Sequence, residues 1–156
     1  MGDYKEKRNN LLKRHEGEPP VKGGMLQMYR DSVGLLTIGY GHCLERKGIS
    51  RRVAEMILED DLLDAENAVE RLALGDIGDA RRAALVSMAL NLGSEGVSNF
   101  VDMLAALRRG DWRAAHDEAL DSKWSKDVDP KQRVGEGRDD EIARMLLTNE
   151  WPENLG

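Results

Sequence analysis

The sequence predicts an α+β fold in which a small N-terminal antiparallel β element feeds a larger, mostly helical lobe. Three observations predict it. Glycines at 23, 24, 34, 39 and 41 cluster in one stretch, with short β-favouring runs between them. From Ser50 onward, apolar residues recur with a period near 3.6. The length of 156 residues and the 40% hydrophobic content suit one domain with one core. We therefore expect a single domain over residues 1–156, with a β lobe at about 17–48 and a helical lobe from about 1–16 and 50–156.

Residues 3–15 place Leu11 and Leu12 among charges and read as a short amphipathic helix, stopped by Gly17 ahead of Pro19 and Pro20. Glu16 then sits at a helix C-terminus. Residues 21–38 read as hairpins or a small antiparallel sheet, the only β region expected. Leu58, Leu62, Ala65, Val69 and Leu72 fall on one face of a helix that Ser50 caps and that ends near Gly75. The stretch DARRAALVSMALNLG, residues 79–93, is apolar on most sides after its opening charges, as a central buried helix is. Gly93 stands where its C-terminal cap belongs. Helices over about 97–108, 111–122 and 137–148 follow, the second opened by a cap at Gly110 and Asp111. Between the last two, WSKDVDPKQRVGEG reads as a polar loop.

Composition argues against several roles. Against 23 Lys and Arg stand 29 Asp and Glu, a net charge of −6, so nucleic acid held through its phosphates is not the expected partner. Cys43 is the only cysteine, which leaves no internal disulfide and no cysteine-based zinc cluster. The opening MGDYKEKRNNLLKRHEG is charged throughout, unlike a secretory signal, and no run approaches the roughly 18 apolar residues of a membrane span. The expectation is a soluble, cytoplasmic chain without stable membrane insertion.

Two carboxylates, Glu16 and Asp31, flank the glycine-rich region, and paired carboxylates serve acid and base roles in glycoside hydrolysis. In a chain with 29 acidic residues such a pair carries little by itself. The run Thr37, Ile38, Gly39, Tyr40, Gly41 is equally well read as a strand entering a tight turn. His42 reads more readily as structural than catalytic, and Trp112, Trp124 and Trp151 read as packing residues.

In order along the chain stand EG, YRDSVGLLTIGYGH, DARRAALVSMALNLG, SKW and a closing TNEW. Together they resemble the phage-type lysozymes, the T-even endolysin group of glycoside hydrolase family 24. The resemblance runs over nearly the whole chain, and its most specific element is YxDxxGxxTIGxGH with the upstream EG. It implies a lysozyme-like fold and hydrolysis, with inversion, of the β-1,4 bond between N-acetylmuramic acid and N-acetylglucosamine in bacterial peptidoglycan. By this resemblance Glu16 is the general acid, Asp31 the carboxylate that positions or activates the attacking water, and Thr37 a hydroxyl that helps hold that water. Leu90 and Asn91 match the helix end that faces substrate, where Asn91 is either a sugar contact or simply a turn residue. Counting back from Trp151, Arg138 matches the arginine that pairs with the catalytic Glu, with Arg133 as the alternative. His42 and Asp61 are implied to form a structural ion pair. No metal and no organic cofactor are implied. The implied setting is a monomer kept in the host cytoplasm until a separate membrane-permeabilising protein gives it access to the wall.

Two features depart from the pattern. The connection between Glu16 and Asp31 is longer than usual by about the length of PPVKGG, and the net charge is acidic where many wall-degrading enzymes are basic. Two other readings therefore stand beside the hydrolase. One is a catalytically weak or inactive protein of the same fold that binds wall glycan or a partner. The other is a helical regulatory module without a sugar site, which the TIGYGH turn disfavours.

Overall fold

The computed structural model describes residues 2–93, 95–128, 137–153 and 155. The chain divides into two compact units, Met1–Glu55 and Met56–Gly156, with the boundary inside one helix, α3 (Arg51–Arg71). The same boundary separates charge. The first unit holds 11 Lys and Arg against 7 Asp and Glu, the second 12 against 22, so their net charges are +4 and −10.

The first unit opens with α1 (Gly2–Glu16), whose residues 3–16 are all exposed. Its end is set locally. Gly17 takes φ +76° and donates its N–H to the Lys13 carbonyl, a left-handed stop that glycine adopts without steric penalty. The basic side chains Lys13 and Arg14 in the last turn suit the negative end of the helix dipole. Next, β1 (Val21–Lys22) and β2 (Met25–Leu26) pair antiparallel around Gly23 and Gly24, both at positive φ as a two-residue hairpin turn requires. The Gln27 N–H closes the base of this hairpin on the Pro20 carbonyl at 2.7 Å. The extra length between Glu16 and Asp31 is thus folded as a hairpin. A three-stranded antiparallel sheet follows in the order β3 (Tyr29–Arg30), β4 (Leu36–Ile38), β5 (His42–Cys43), with Thr37 opposite both Tyr29 and Cys43. A four-residue α2 (Leu44–Lys47), too short to show periodicity in the sequence, packs on β4 and β5.

The second unit is helical. It contains most of α3, then α4 (Asp79–Leu92), a 3-10 turn (Gly96–Asn99), α5 (Val101–Arg108), α6 (Trp112–Asp121), α7 (Lys123–Val128) and α8 (Arg138–Thr148). Helix α4 is its centre: Ala84, Leu85 and Met88 are fully buried, and α8 packs on α4 and α6. The expected caps are present, Ser50 Oγ accepting the Val53 N–H at the start of α3 and the Asp111 carboxylate accepting the Ala114 N–H at the start of α6. Arg81 ties α4 to the end of α8. Its Nε and Nη2 donate to the Leu146 and Leu147 carbonyls at 2.7 and 3.0 Å, Nη1 donates to the Ile77 carbonyl at 3.1 Å, and the guanidinium lies 3.9 Å from the Trp112 ring centroid. Burial pushes this guanidinium below its ordinary pKa, and the carbonyls and the ring face compensate the charge.

Two expected elements differ. The helix expected over 97–108 is broken, because Phe100 leaves helical backbone (φ −83°, ψ 59°) between the 3-10 turn and α5. The stretch read as a polar loop from Trp124 lies largely in α7 at its start. Ser122, extended at φ −71° and ψ 156°, ends α6 and accepts the Ser125 N–H at 3.2 Å as the cap of the next helix, while Trp124 and Ser125 are buried. Most of the rest of that loop, Arg133 included, lies outside the described residues.

Candidate active site

Glu16 is the last residue of α1, and its exposed carboxylate lies against Gly41. A Cβ on Gly41 would stand 2.7 Å from Glu16 Oε2 and 3.2 Å from its Cδ. Gly41 also sits at φ +81° and donates its N–H to the Gly39 carbonyl, so its backbone favours glycine, and a side chain there would displace the exposed end of Glu16. One turn back on α1, Lys13 Nζ lies 5.1 Å from the centroid of the Tyr40 ring. The Tyr29 hydroxyl donates to the Gly39 carbonyl at 3.3 Å and holds the turn to the sheet. The EG and TIGYGH elements of the sequence are therefore neighbours in space.

Asp31 heads a tight turn. Its Oδ1 accepts the Val33 and Leu35 N–H groups at 3.0 and 2.9 Å, and its own N–H donates to the Leu35 carbonyl at 3.0 Å. Both side-chain bonds fall on Oδ1, which leaves Oδ2 as the oxygen that can meet a water. Thr37, only 2% exposed on the central strand, donates its Oγ1 hydrogen to that same Leu35 carbonyl at 3.1 Å. Asp31 and Thr37 are thus fixed to one another through the Leu35 backbone. The Thr37 hydroxyl hydrogen is committed, and its oxygen remains an acceptor. Sequence reasoning missed two residues that brace this turn. Glu45 accepts the Leu36 N–H at 2.8 Å and lies 3.5 Å from Arg30 Nη1, which donates to the Gly34 carbonyl at 2.8 Å. Arg30 fills a variable position of YxDxxGxxTIGxGH and Glu45 lies just beyond it, so only their placement beside the sheet would have hinted at them.

His42 Nε2 lies 2.6 Å from the Gly48 carbonyl; since a carbonyl only accepts, this nitrogen carries the hydrogen. Asp61 belongs to α3 in the second unit, where it lines a hollow of about 250 Å³ together with Leu90 and Gly93. Leu90 is 41% exposed. Arg138 is the first residue of α8 and is exposed.

The Asn91 side chain has a partner that the sequence did not announce. Its Oδ1 accepts the Trp124 indole Nε1–H at 2.8 Å across 33 residues. An indole nitrogen only donates, so the amide orientation is determined and its NH2 is free for another acceptor. Both residues line a cavity of about 780 Å³, where Phe100 meets Trp124 edge-on at 6.3 Å between centroids. Among the described residues, no group of three or more His, Cys, Asp or Glu is arranged to hold a metal ion.

Comparison with known proteins places these residues in a family. Residues 20–138 match the model for phage lysozyme, a stretch that holds Asp31, Thr37, His42, Asp61, Leu90, Asn91 and Arg138, with Glu16 just ahead of it. The pre-baseplate central spike protein Gp5 of Enterobacteria phage T4 is 27% identical, over 88% of this chain and 27% of its own length. Probable T4-type lysozyme 2 of Dictyostelium discoideum is 25% identical over 74% of this chain and 83% of its own, and an endolysin of Bacillus phage B103 is 35% identical over 58% and 35%. The chain thus spans roughly a quarter of the spike protein and a third of the B103 endolysin, but most of the Dictyostelium protein. Because the family model covers most of its length, the chain belongs to the phage lysozyme family.

Proposed function

We propose that the chain is a peptidoglycan hydrolase, a lysozyme that cleaves the β-1,4 bond between N-acetylmuramic acid and N-acetylglucosamine with inversion. The observation that carries this reading is the assembly within one unit of Glu16 against the Gly41 turn and of Asp31 and Thr37 on the Leu35 backbone. In this mechanism the Glu16 carboxylic acid protonates the leaving glycosidic oxygen. Asp31 Oδ2 takes a proton from the water that attacks the opposite face of the sugar, and the Thr37 oxygen accepts a hydrogen bond from that water. Asn91 donates its free NH2 to an N-acetyl or hydroxyl oxygen, and Leu90 supplies an apolar contact. The chain acts as a monomer in host-cell lysis, is held in the host cytoplasm, and depends on a membrane-permeabilising partner for access to the wall.

The charge division supports an approach to an anionic wall. The acid and base belong to the unit with a net charge of +4, which the whole-chain value of −6 conceals. One observation favours a second reading, a wall-glycan binder without turnover: the β1–β2 hairpin interposed in the chain between Glu16 and Asp31. Following the first product of glycan digestion by NMR separates the two. An early α-anomer from the β-linked glycan supports inversion, and an early β-anomer contradicts the mechanism. Absence of product, with the protein retained on insoluble peptidoglycan, establishes the binder instead.

A further inference from the structure

We propose that Ser125 and Asp139 form a latch that positions Trp124 and, through it, Asn91. The inference rests on the reading of Asn91 as a substrate contact. Asp139 lies in the first turn of α8, is only 8% exposed, and accepts the Ser125 Oγ hydrogen on Oδ2 at 2.5 Å. Its Oδ1 is buried with no hydrogen-bond partner among the described residues. A buried carboxylate oxygen without a partner is unfavourable, and an exposed carboxylate would serve the α8 dipole as well. The stability of α8 therefore does not account for this residue.

What Asp139 holds is α7. Six residues are too few for a helix to persist by itself, so its place must be fixed by packing. Lys123, Lys126 and Asp127 are exposed, whereas the adjacent pair Trp124 and Ser125 is buried. One of that pair bonds to Asn91 on α4 and the other to Asp139 on α8. A turn of α7 about its axis that released Ser125 would carry the Trp124 indole away from Asn91, and the Asn91 amide would lose its orientation. Asp139 is thus a positioning residue, acting through Ser125 and Trp124.

The test uses the full chain with Asp139→Ala, Asp139→Asn, Ser125→Ala, Trp124→Phe and the Asp139→Ala/Trp124→Phe double variant. By NMR without substrate, the Trp124 indole N–H signal is expected to shift and exchange faster in Asp139→Ala and Ser125→Ala, and to remain near its wild-type position in Asp139→Asn, which keeps an acceptor for Ser125. In turnover of wall glycan, Asp139→Ala and Trp124→Phe are each expected to raise KM about three- to tenfold with little change in kcat. The double variant should be no worse than the worse single one, since both break the same chain of contacts. An unshifted indole signal in folded Asp139→Ala, or additive losses in the double variant, overturns the latch. If Asp139→Ala does not fold, Ser125→Ala carries the same comparison with Trp124→Phe. If the wild type shows no turnover, the hydrolase reading fails while the indole signal still decides the latch.

Discussion

Replacing Gly41 by Ala should damage catalysis well beyond its effect on stability. Two costs separate cleanly. The first is backbone: Gly41 sits at φ +81°, where an L-residue loses about 1–2 kcal/mol. That is a fall of roughly 2–8 °C in melting temperature for a chain of this size. The second is positional. The new Cβ would lie 2.7 Å from Glu16 Oε2 where ordinary contact begins at 3.4 Å, so the carboxylate must retreat by roughly 0.7 Å. A misplacement of about 1 Å in a reacting group can cost on the order of 10²-fold, so kcat should fall about 10- to 100-fold. Gly39→Ala is the control, because Gly39 also has positive φ, at +58°, but a Cβ there meets nothing within 4 Å. Both variants should melt lower by similar amounts, and only Gly41→Ala should lose most of its release of reducing ends from purified sacculi. Equal activity losses in the two would refute the placement of Glu16 against the turn.

Three further outcomes follow from the same geometry. Asp31→Ala strips the exposed Val33 and part-buried Leu35 N–H groups of their acceptor and should lower stability by about 0.5–1.5 kcal/mol in a thermal melt, whereas Asp31→Asn keeps an acceptor oxygen and should fold well yet lose turnover. Arg81→Met leaves three carbonyls without their donor and removes the contact with Trp112. It should cost about 3 kcal/mol or more in urea unfolding, with Arg81→Lys recovering only part because one ammonium cannot reproduce the fork. If the first unit steers the chain to the wall, activity on sacculi should fall as salt rises from low to physiological ionic strength, and replacing Lys13 and Arg14 by Gln should flatten that dependence.

The readable parts of the fold were those with local chemical signals. Gly17 ends α1 because its backbone is left-handed, Ser50 and Asp111 cap the helices they precede, and the apolar stretch over 79–92 is central because it has little polar surface to expose. Helix α7 was hidden because six residues give no periodicity and its sequence is half charged; it exists through the Ser122 cap and the burial of Trp124. In the site, the EG and TIGYGH elements were legible as motifs, but a glycine at positive φ is already explained without Glu16, so their contact was not. Links such as Asn91 to Trp124 and Ser125 to Asp139 join different helices, and no local pattern encodes them. The charge asymmetry was concealed by the whole-chain sum, since the boundary that reveals it lies within the continuous helix α3.

In the proposed mechanism Glu16 donates the proton that releases the sugar. Its most direct test compares wild type and Glu16→Gln for release of reducing ends from purified peptidoglycan, with circular dichroism and melting temperature recorded on both. Glutamine keeps the shape of the side chain at the Gly41 turn but has no acidic proton to give. The fold should be unchanged and turnover should fall at least about 10²-fold. Hydrolysis by Glu16→Gln at the wild-type rate would contradict that role.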